Sequence, residues 1–220
     1  MRVAVKSRIW RHEKPMTEKE AQDWLRDKFD VSRETWEQLE AFLAMLAEEM
    51  LHQNLISKSS AEHVWDRHVV DSAQLLLHAP KGQSGKIWLD LGTGAGFPGI
   101  VIAILSDYKV EMVESRARRS AFLESVLQKL GLTEKSLVIG DRLENVESHP
   151  VDVISARAFA PLPKLLSLSH RFSTENTVWV LPKGKNAVRE LKGLSPKRQK
   201  MFHVEQSLTD PEAGILVGIG

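Results

Sequence analysis

The chain has 220 residues, a formal net charge of +1 and no cysteine. The missing thiols exclude structural disulfides, cysteine-ligated zinc and a cysteine nucleophile. A net charge this close to zero confines any binding of a polyanion to a local patch. With 27 % charged and 42 % apolar residues the composition is globular, and the length suits one sizeable domain with a smaller attachment.

Residues 1–15 carry Arg2, Lys6, Arg8, Arg11 and Lys14 without a continuous apolar stretch, so they do not read as a secretory signal. The longest wholly apolar run, around 100–105, is too short to span a bilayer. A cytoplasmic protein is the expectation.

The first 80 residues read as a helical extension. Thr17 and Glu20 form a capping box ahead of a helix over 21–29. Ser32 caps a longer segment in which Trp36, Leu39, Phe42, Leu43, Leu46 and Met50 recur at helical spacing. Ser59 and Glu62 offer another capping box, heading a helix through Val64, Trp65, His68, Val69, Ser72, Leu75 and Leu76. The Pro-Lys-Gly-Gln-Ser-Gly run at 80–85 breaks the pattern and marks the boundary. A second domain then occupies 86–220.

In that domain strands and helices alternate, which predicts a parallel sheet covered on both faces. Strands are expected at 87–91, 109–113, 136–139, 151–155 and 177–181, and helices at 99–105, 116–130 and 162–172. Two last strands, 198–206 and 214–219, read as an antiparallel pair at the sheet edge.

The first of these strands ends in Asp90-Leu91-Gly92-Thr93-Gly94-Ala95-Gly96-Phe97-Pro98-Gly99. A strand, a glycine turn and a helix in succession place a nucleotide outside the strand's carboxyl end. Gly94-x-Gly96-x-x-Gly99 fits a dinucleotide fingerprint. Asp90-x-Gly92-x-Gly94-x-Gly96 fits the first motif of S-adenosylmethionine-dependent methyltransferases. There Asp90 would accept from the donor's ammonium, directly or through water, and Glu114, at the end of the second strand, would take the ribose hydroxyls. Asp90, two residues before the first glycine, favours the methyl donor. Five parallel strands followed by a terminal hairpin is also the methyltransferase arrangement, whereas a dinucleotide fold usually carries a parallel sixth strand.

Gly140-Asp141-Arg142-Leu143-Glu144 follows the third strand, where side chains lie beside the adenine in this fold. Asp141 also reads as a helix cap. Ile154-Ser155-Ala156-Arg157-Ala158-Phe159 follows the fourth strand. It lacks the two prolines usual in enzymes that methylate exocyclic amines. Arg157 is left at the catalytic edge, able to bind the donor carboxylate, a phosphate, or guanine O6 and N7. Guanine N7 carries an in-plane lone pair and no proton, so its methylation needs no general base. No catalytic residue is identified by type. His63 and His68, five apart and without a third ligand, read as packing or surface residues. The seven cations Lys183, Lys185, Arg189, Lys192, Lys197, Arg198 and Lys200, against Glu190 alone, form a patch suited to RNA phosphates. Arg116, Arg118 and Arg119 form a smaller one.

The glycine segment 90–99, Val113-Glu114-Ser115 with its basic followers, Ser155-Ala156-Arg157-Ala158-Phe159 and Leu181-Pro182-Lys183-Gly184 together resemble the bacterial small-subunit ribosomal RNA guanine-N7 methyltransferase family, RsmG or GidB. Asn54-Leu55-Ile56-Ser57 and Val64-Trp65-Asp66-Arg67-His68 with Asp71-Ser72 are similar to its helical extension, and the likeness runs from about residue 35 to 190. The resemblance implies a Rossmann-like class I fold, with a mostly parallel seven-stranded sheet, a terminal antiparallel strand and an N-terminal helical extension. It implies S-adenosylmethionine as donor, no metal, and donor contacts at Gly92, Phe97, Leu143, Glu144 and Arg157, to which the glycine and acid motifs add Gly94 and Glu114. It implies a guanine in the helix 18 loop of 16S ribosomal RNA as target, with the RNA or the 30S subunit as partner, no membrane association, and a monomer. Pro182 departs from the family pattern before Lys183-Gly184 and weakens any role assigned to Lys183. An NAD(P)-dependent oxidoreductase, a non-catalytic RNA-binding protein and a small-molecule methyltransferase are the competing expectations.

Overall fold

The computed structural model describes residues 16–81 and 84–220; the basic group between Arg2 and Lys14 lies outside them. Helix α1 (Glu18–Phe29) opens on the expected capping box: Glu20 N–H donates to Thr17 Oγ1, and Glu20 returns a carboxylate to Thr17 N–H at 2.8 Å. Helix α2 (Arg33–Glu49) is capped by Ser32, which accepts from Thr35 N–H.

The third helix corrects the expectation. Its cap is Ser57, which accepts from Ser60 N–H, and not Ser59 with Glu62. A short α3 (Lys58–Ala61) then gives way to a π-helical turn over Trp65–Val70, α4 (Asp71–Ala73) and a 3-10 turn over Gln74–His78. The Trp65 and Asp66 N–H groups donate to the Glu18 carboxylate of α1 (3.2 and 3.3 Å). Two donors of the run are thus satisfied from outside its own ladder.

The second half alternates as expected: β1 (Ile87–Leu91), α5 (Gly99–Leu105), β2 (Lys109–Val113), α6 (Ala117–Leu130), β3 (Ser136–Ile139), β4 (Val153–Ala156), α7 (Leu162–Ser169) and β5 (Val178–Gly184). The fourth and fifth strands begin later and end later than their apolar runs suggest. Helices α8 (Ala187–Lys192) and α9 (Pro196–Gln199) precede β6 (Phe202–Gln206) and β7 (Gly214–Ile219). The residue pattern predicts strand from 198; Ser195 followed by Pro196 starts a helical turn there instead.

The strands form one seven-stranded sheet in the order β3-β2-β1-β4-β5-β7-β6. Strands β1 to β5 are mutually parallel, and β7 runs antiparallel between β5 and β6. The antiparallel pair is therefore present, with β6 at the edge. This is the Rossmann-like class I methyltransferase arrangement. Among the described residues no helix is long and apolar enough to cross a membrane.

Each face of the sheet has its own core. One joins the extension to α5 and α6: Leu39, Phe42 and Leu46 of α2 lie in the same buried cluster as Ile100, Leu123 and Val126. The other joins β1, β4 and β5 to α7 and the α8–α9 region, through Leu89, Ile154, Leu165, Trp179 and Leu194. Trp88 and Trp179, both almost fully buried, sit on opposite faces; sequestering a side chain of that size contributes upward of about 1.5–3 kcal/mol. The extension and the sheet domain thus share a core, which brings the π-helical turn against the carboxyl ends of the strands.

Candidate functional site

The glycine turn is fixed by one buried carboxylate. Asp90 is wholly inaccessible. Its Oδ2 accepts from Gly99 N–H (3.0 Å), and its Oδ1 accepts from Ser155 Oγ (2.7 Å), which in turn accepts from Trp88 Nε1 (2.8 Å). Burial pushes Asp90 up to about 6, against the opposing effect of these hydrogen bonds and the Arg157 charge. With no surface exposed, Asp90 cannot touch a donor ammonium directly, which corrects that part of the expectation. Both of its oxygens are engaged within the fold, where they hold β1, β4 and the start of α5 together. Gly99 lets α5 lie close to β2: a Cβ there would sit 2.5 Å from Met112 Cγ.

Beyond the strand ends lies a cavity of about 310 Å³, within the size range of small-molecule sites. Gly92, Glu114, Leu143 and Glu144 line it, so the structure brings four of the seven residues expected from sequence into one wall. Gly92 has φ +67°, and its missing side chain is the space taken by the Phe159 ring; a Cβ would stand 2.7 Å from Phe159 Cδ2. Phe159 also lines the cavity. Gly94 is tied to the wall by its N–H, which donates to Glu114 Oε2 (3.1 Å), while Glu114 Oε1 accepts from Arg116 N–H (2.9 Å). A carboxylate offers about four acceptor positions, so Glu114 retains capacity toward the cavity.

Leu143 opens a short 3-10 turn over Leu143–Asn145. The cap of that turn is Arg142. Asp141 braces it instead, accepting from Asn145 Nδ2 (2.9 Å) and Arg142 N–H (2.6 Å), and these bonds hold its carboxyl below the ordinary range. An apolar wall at Leu143 and Phe159, an acid with spare acceptors at Glu114 and a turn kept free of side chain at Gly92 together fit an adenosine. Sequence reading does not assign Arg116, Arg119 or Lys164 to the site, although all three line it. The cluster of arginines after Glu114 is the signal for the first two.

Phe97 and Arg157 stand apart from this cavity. Phe97 is buried (3 % exposed) between Phe42 and His68, with ring centroids at 5.2 and 4.8 Å. The Arg157 guanidinium lies 5.7 Å from the Phe97 ring centre and pairs with Asp71 at 3.1 Å. It borders a second cavity of about 620 Å³ that Phe159, Lys183 and Arg189 also line. Phe159 is thus shared between the two spaces. Of the packing and surface roles expected for it, His68 takes the buried one, with a polar partner described below. Among the described residues no group of three or more His, Cys, Asp or Glu could hold a metal ion.

Lys183 is not a free cation. It donates to the Ala160 carbonyl (3.0 Å) and pairs with Glu190 (3.1 Å), which also accepts from Leu162 N–H (2.8 Å). It bolts the loop after β4 to β5 and α8. Lys185 pairs with Glu212. Arg189, Lys192, Lys197 and Arg198 lie on α8 and α9, with Lys200 following.

A model of the GidB family, rRNA small subunit methyltransferase G, matches residues 35–213. The chain is 51 % identical over 203 residues to "Ribosomal RNA small subunit methyltransferase G" of Sphingopyxis alaskensis, covering 92 % of this chain and 86 % of that one. It is 52 % identical over 205 residues to the protein of the same name from Erythrobacter litoralis, covering 93 % and 97 %. Among solved structures, the fold is similar to an O-methyltransferase from Bacillus cereus in complex with SAH, with TM-score 0.56, 14 % identity, and 90 % and 96 % of the two chains covered. It is also similar to a cofactor-bound protein from MTB, with TM-score 0.60, 14 % identity, and 94 % and 99 % covered. The glycine-turn cavity, the antiparallel β7 and a family match across both the extension and the sheet converge: the chain belongs to the rRNA small subunit methyltransferase G family.

Proposed function

We propose that this protein transfers the methyl group of S-adenosylmethionine to N7 of a guanine in the helix 18 loop of 16S ribosomal RNA, acting as a monomer in the cytoplasm on the RNA or the 30S subunit. The observation that carries the reading is the 310 Å³ cavity at the carboxyl ends of the strands, in a chain with this family match. When bound, the donor supplies an electrophilic methyl on a sulfonium.

The chain's own residues supply position and charge. Glu114 accepts from the ribose hydroxyls, Leu143 and Phe159 flank the adenine, and Glu144 stands at its polar edge. Gly92 and Gly94 keep the floor low. Arg157, supported on Phe97, receives the carboxylate of the methionine moiety. Of a guanidinium's five N–H donors, three are taken by Arg67 O, Asp71 and His68. The remaining two, Nε–H and one N–H of Nη2, match the two oxygens of a carboxylate. Transfer to an acceptor nitrogen that carries no proton asks for no general base, so position and charge are what the residues have to supply. The cations of α8 and α9 border the 620 Å³ cavity through Arg189 and provide phosphate contacts for RNA entering it.

The test is methyl transfer from labelled donor to unmodified 30S subunits and to naked 16S RNA, followed by reduction and strand scission at 7-methylguanosine. A single cut in the helix 18 loop supports the reading. Label elsewhere, or none on either substrate, refutes it. Calorimetric titration with NAD(H) and with S-adenosylhomocysteine separates the oxidoreductase alternative: only the second is expected to bind.

A further inference from the structure

The N-terminal stretch Arg67–Asp71 reaches across the molecule to one guanidinium. Arg157 Nη1 donates to the Arg67 carbonyl (3.3 Å) and to Asp71 Oδ2 (3.1 Å), and Nη2 donates to His68 Nδ1 (2.6 Å). Because Nδ1 accepts, the ring proton sits on Nε2. Burial, with the nearby Arg157 and Arg67 charges, pushes His68 down to about 3, so the imidazole is a neutral acceptor across the working range. Its ring lies nearly parallel to Phe97, at 27°, which fixes the direction of Nδ1.

Asp71 is held from its other side. Its Oδ1 accepts from Thr209 Oγ1 (3.0 Å) and Gln74 Nε2 (2.9 Å). These bonds anchor the Asp71 carboxylate independently of the guanidinium it holds. The Arg157 side chain remains 26 % exposed, and cavities of about 250 and 620 Å³ adjoin it. The two N–H donors that remain are free for a ligand entering from either cavity.

We propose that His68 and Asp71 are positioning residues that aim the free edge of Arg157 at the donor's carboxylate, so that the helical extension completes a site whose adenosine half belongs to the sheet. This rests on the assignment of Arg157 to the donor made above. The π-helical turn is part of the device: His68 lies within it and Asp71 follows it directly, and such turns recur at functional positions.

The experiment compares two probes on the full chain by calorimetry. S-Adenosylhomocysteine carries the carboxylate; 5′-methylthioadenosine keeps the adenosine and thioether but lacks the amino-acid end. His68→Phe keeps a ring against Phe97 and removes the acceptor. Asp71→Asn keeps the shape and removes the charge. Each is expected to weaken S-adenosylhomocysteine about tenfold or more while changing 5′-methylthioadenosine less than about twofold. His68→Asn, which returns an acceptor near the Nδ1 position, is expected to recover most of the loss. Equal losses for the two probes, or no loss for either, overturn the proposal. Arg157→Ala separates the two levels. If it leaves S-adenosylhomocysteine binding intact, the donor assignment of Arg157 falls. If it is selective for that probe while His68→Phe and Asp71→Asn are not, only the positioning role falls.

Discussion

Gly92 and Phe159 are fitted to one another: the ring edge occupies the position a Cβ at residue 92 would need, at 2.7 Å, on a backbone with φ +67°. Gly92→Ala therefore carries two costs, a left-handed backbone on a residue with a side chain and displacement of Phe159 from the cavity wall. We expect it to weaken S-adenosylhomocysteine at least tenfold, with a stability loss of about 1–2 kcal/mol. Gly92→Arg should abolish binding. Titration calorimetry and thermal melts on both variants check this; a Gly92→Ala protein that binds as tightly as the unaltered chain would mean that Phe159 keeps its place in the wall.

Glu114 serves backbone and cavity together. Its two oxygens already accept from Gly94 N–H and Arg116 N–H, so removing it loosens the glycine turn as well as any ribose contact. Glu114→Ala should weaken donor binding by about 10²-fold and Glu114→Gln by less, because one amide oxygen still accepts; hydrogen bonds to charged groups are worth about 1.5–3 kcal/mol. Equilibrium binding of both variants to S-adenosylhomocysteine is the measurement. Loss of affinity equal in both would show that charge, not acceptor capacity, is what the site uses.

What residues alone make legible is what local spacing encodes. Thr17 with Glu20, Ser32, and the strand–glycine–helix unit each declare themselves within a few positions, and each forms where expected. The π-helical turn is not legible, since over the six residues Trp65–Val70 a run of Trp, Val and Val fits either helical period. Acidity at a strand end says nothing of which way the Asp90 carboxylate faces; only the hydroxyl of Ser155, 65 positions away, shows that it is spent internally. The same kind of distance hides the link from Arg157 to His68, 89 positions apart. A basic run suggests free cations, yet Lys183 is paired to Glu190 within that run. Long-range polar pairing carries no periodicity, so spacing along the chain cannot reveal it.

Asp66 is buried (1 % exposed), its Oδ1 has no hydrogen-bond partner, and burial raises its carboxyl to about 6. Asp90 is raised to the same region. A carboxyl raised in the native state above its unfolded value near about 3.9 holds extra protons between those limits, so stability falls as pH rises from about 4 to 6 and levels off beyond. Asp66→Asn removes one of the two contributions. It should raise the melting temperature at pH 8, leave it nearly unchanged at pH 4, and reduce the slope between them without abolishing it, because Asp90 remains. Melting curves across that range decide it; a variant that is less stable at pH 8 would show that the ionised carboxylate is satisfied in solution.

The cations of α8 and α9 predict a salt signature. Arg189, Lys192, Lys197 and Arg198 carry no ion pair among the described residues, unlike Lys183 and Lys185. Each phosphate no longer neutralised should reduce the slope of log affinity against log salt by about 0.7–0.9. Arg189→Gln with Lys192→Gln should therefore lower RNA affinity and flatten that slope by up to about 1.8, with S-adenosylhomocysteine binding unchanged. Filter binding from low to moderate salt gives both quantities. A weaker but equally steep binding curve would place the phosphates on another face.

Arg157 separates charge from geometry. Lysine keeps the charge but cannot reach three acceptors and still present a two-pronged edge. We therefore expect Arg157→Lys to lose nearly as much turnover as Arg157→Ala, about 10²-fold in each case, against a stability loss of only about 1–2 kcal/mol from the hydrogen bonds to His68 and Asp71. Initial rates on 30S subunits, set beside melting temperatures of the same proteins, test it. If lysine restores turnover, a point charge suffices and the forked contact is dispensable. If rate and stability fall in proportion in both variants, Arg157 acts by holding β4 to the extension and touches no ligand.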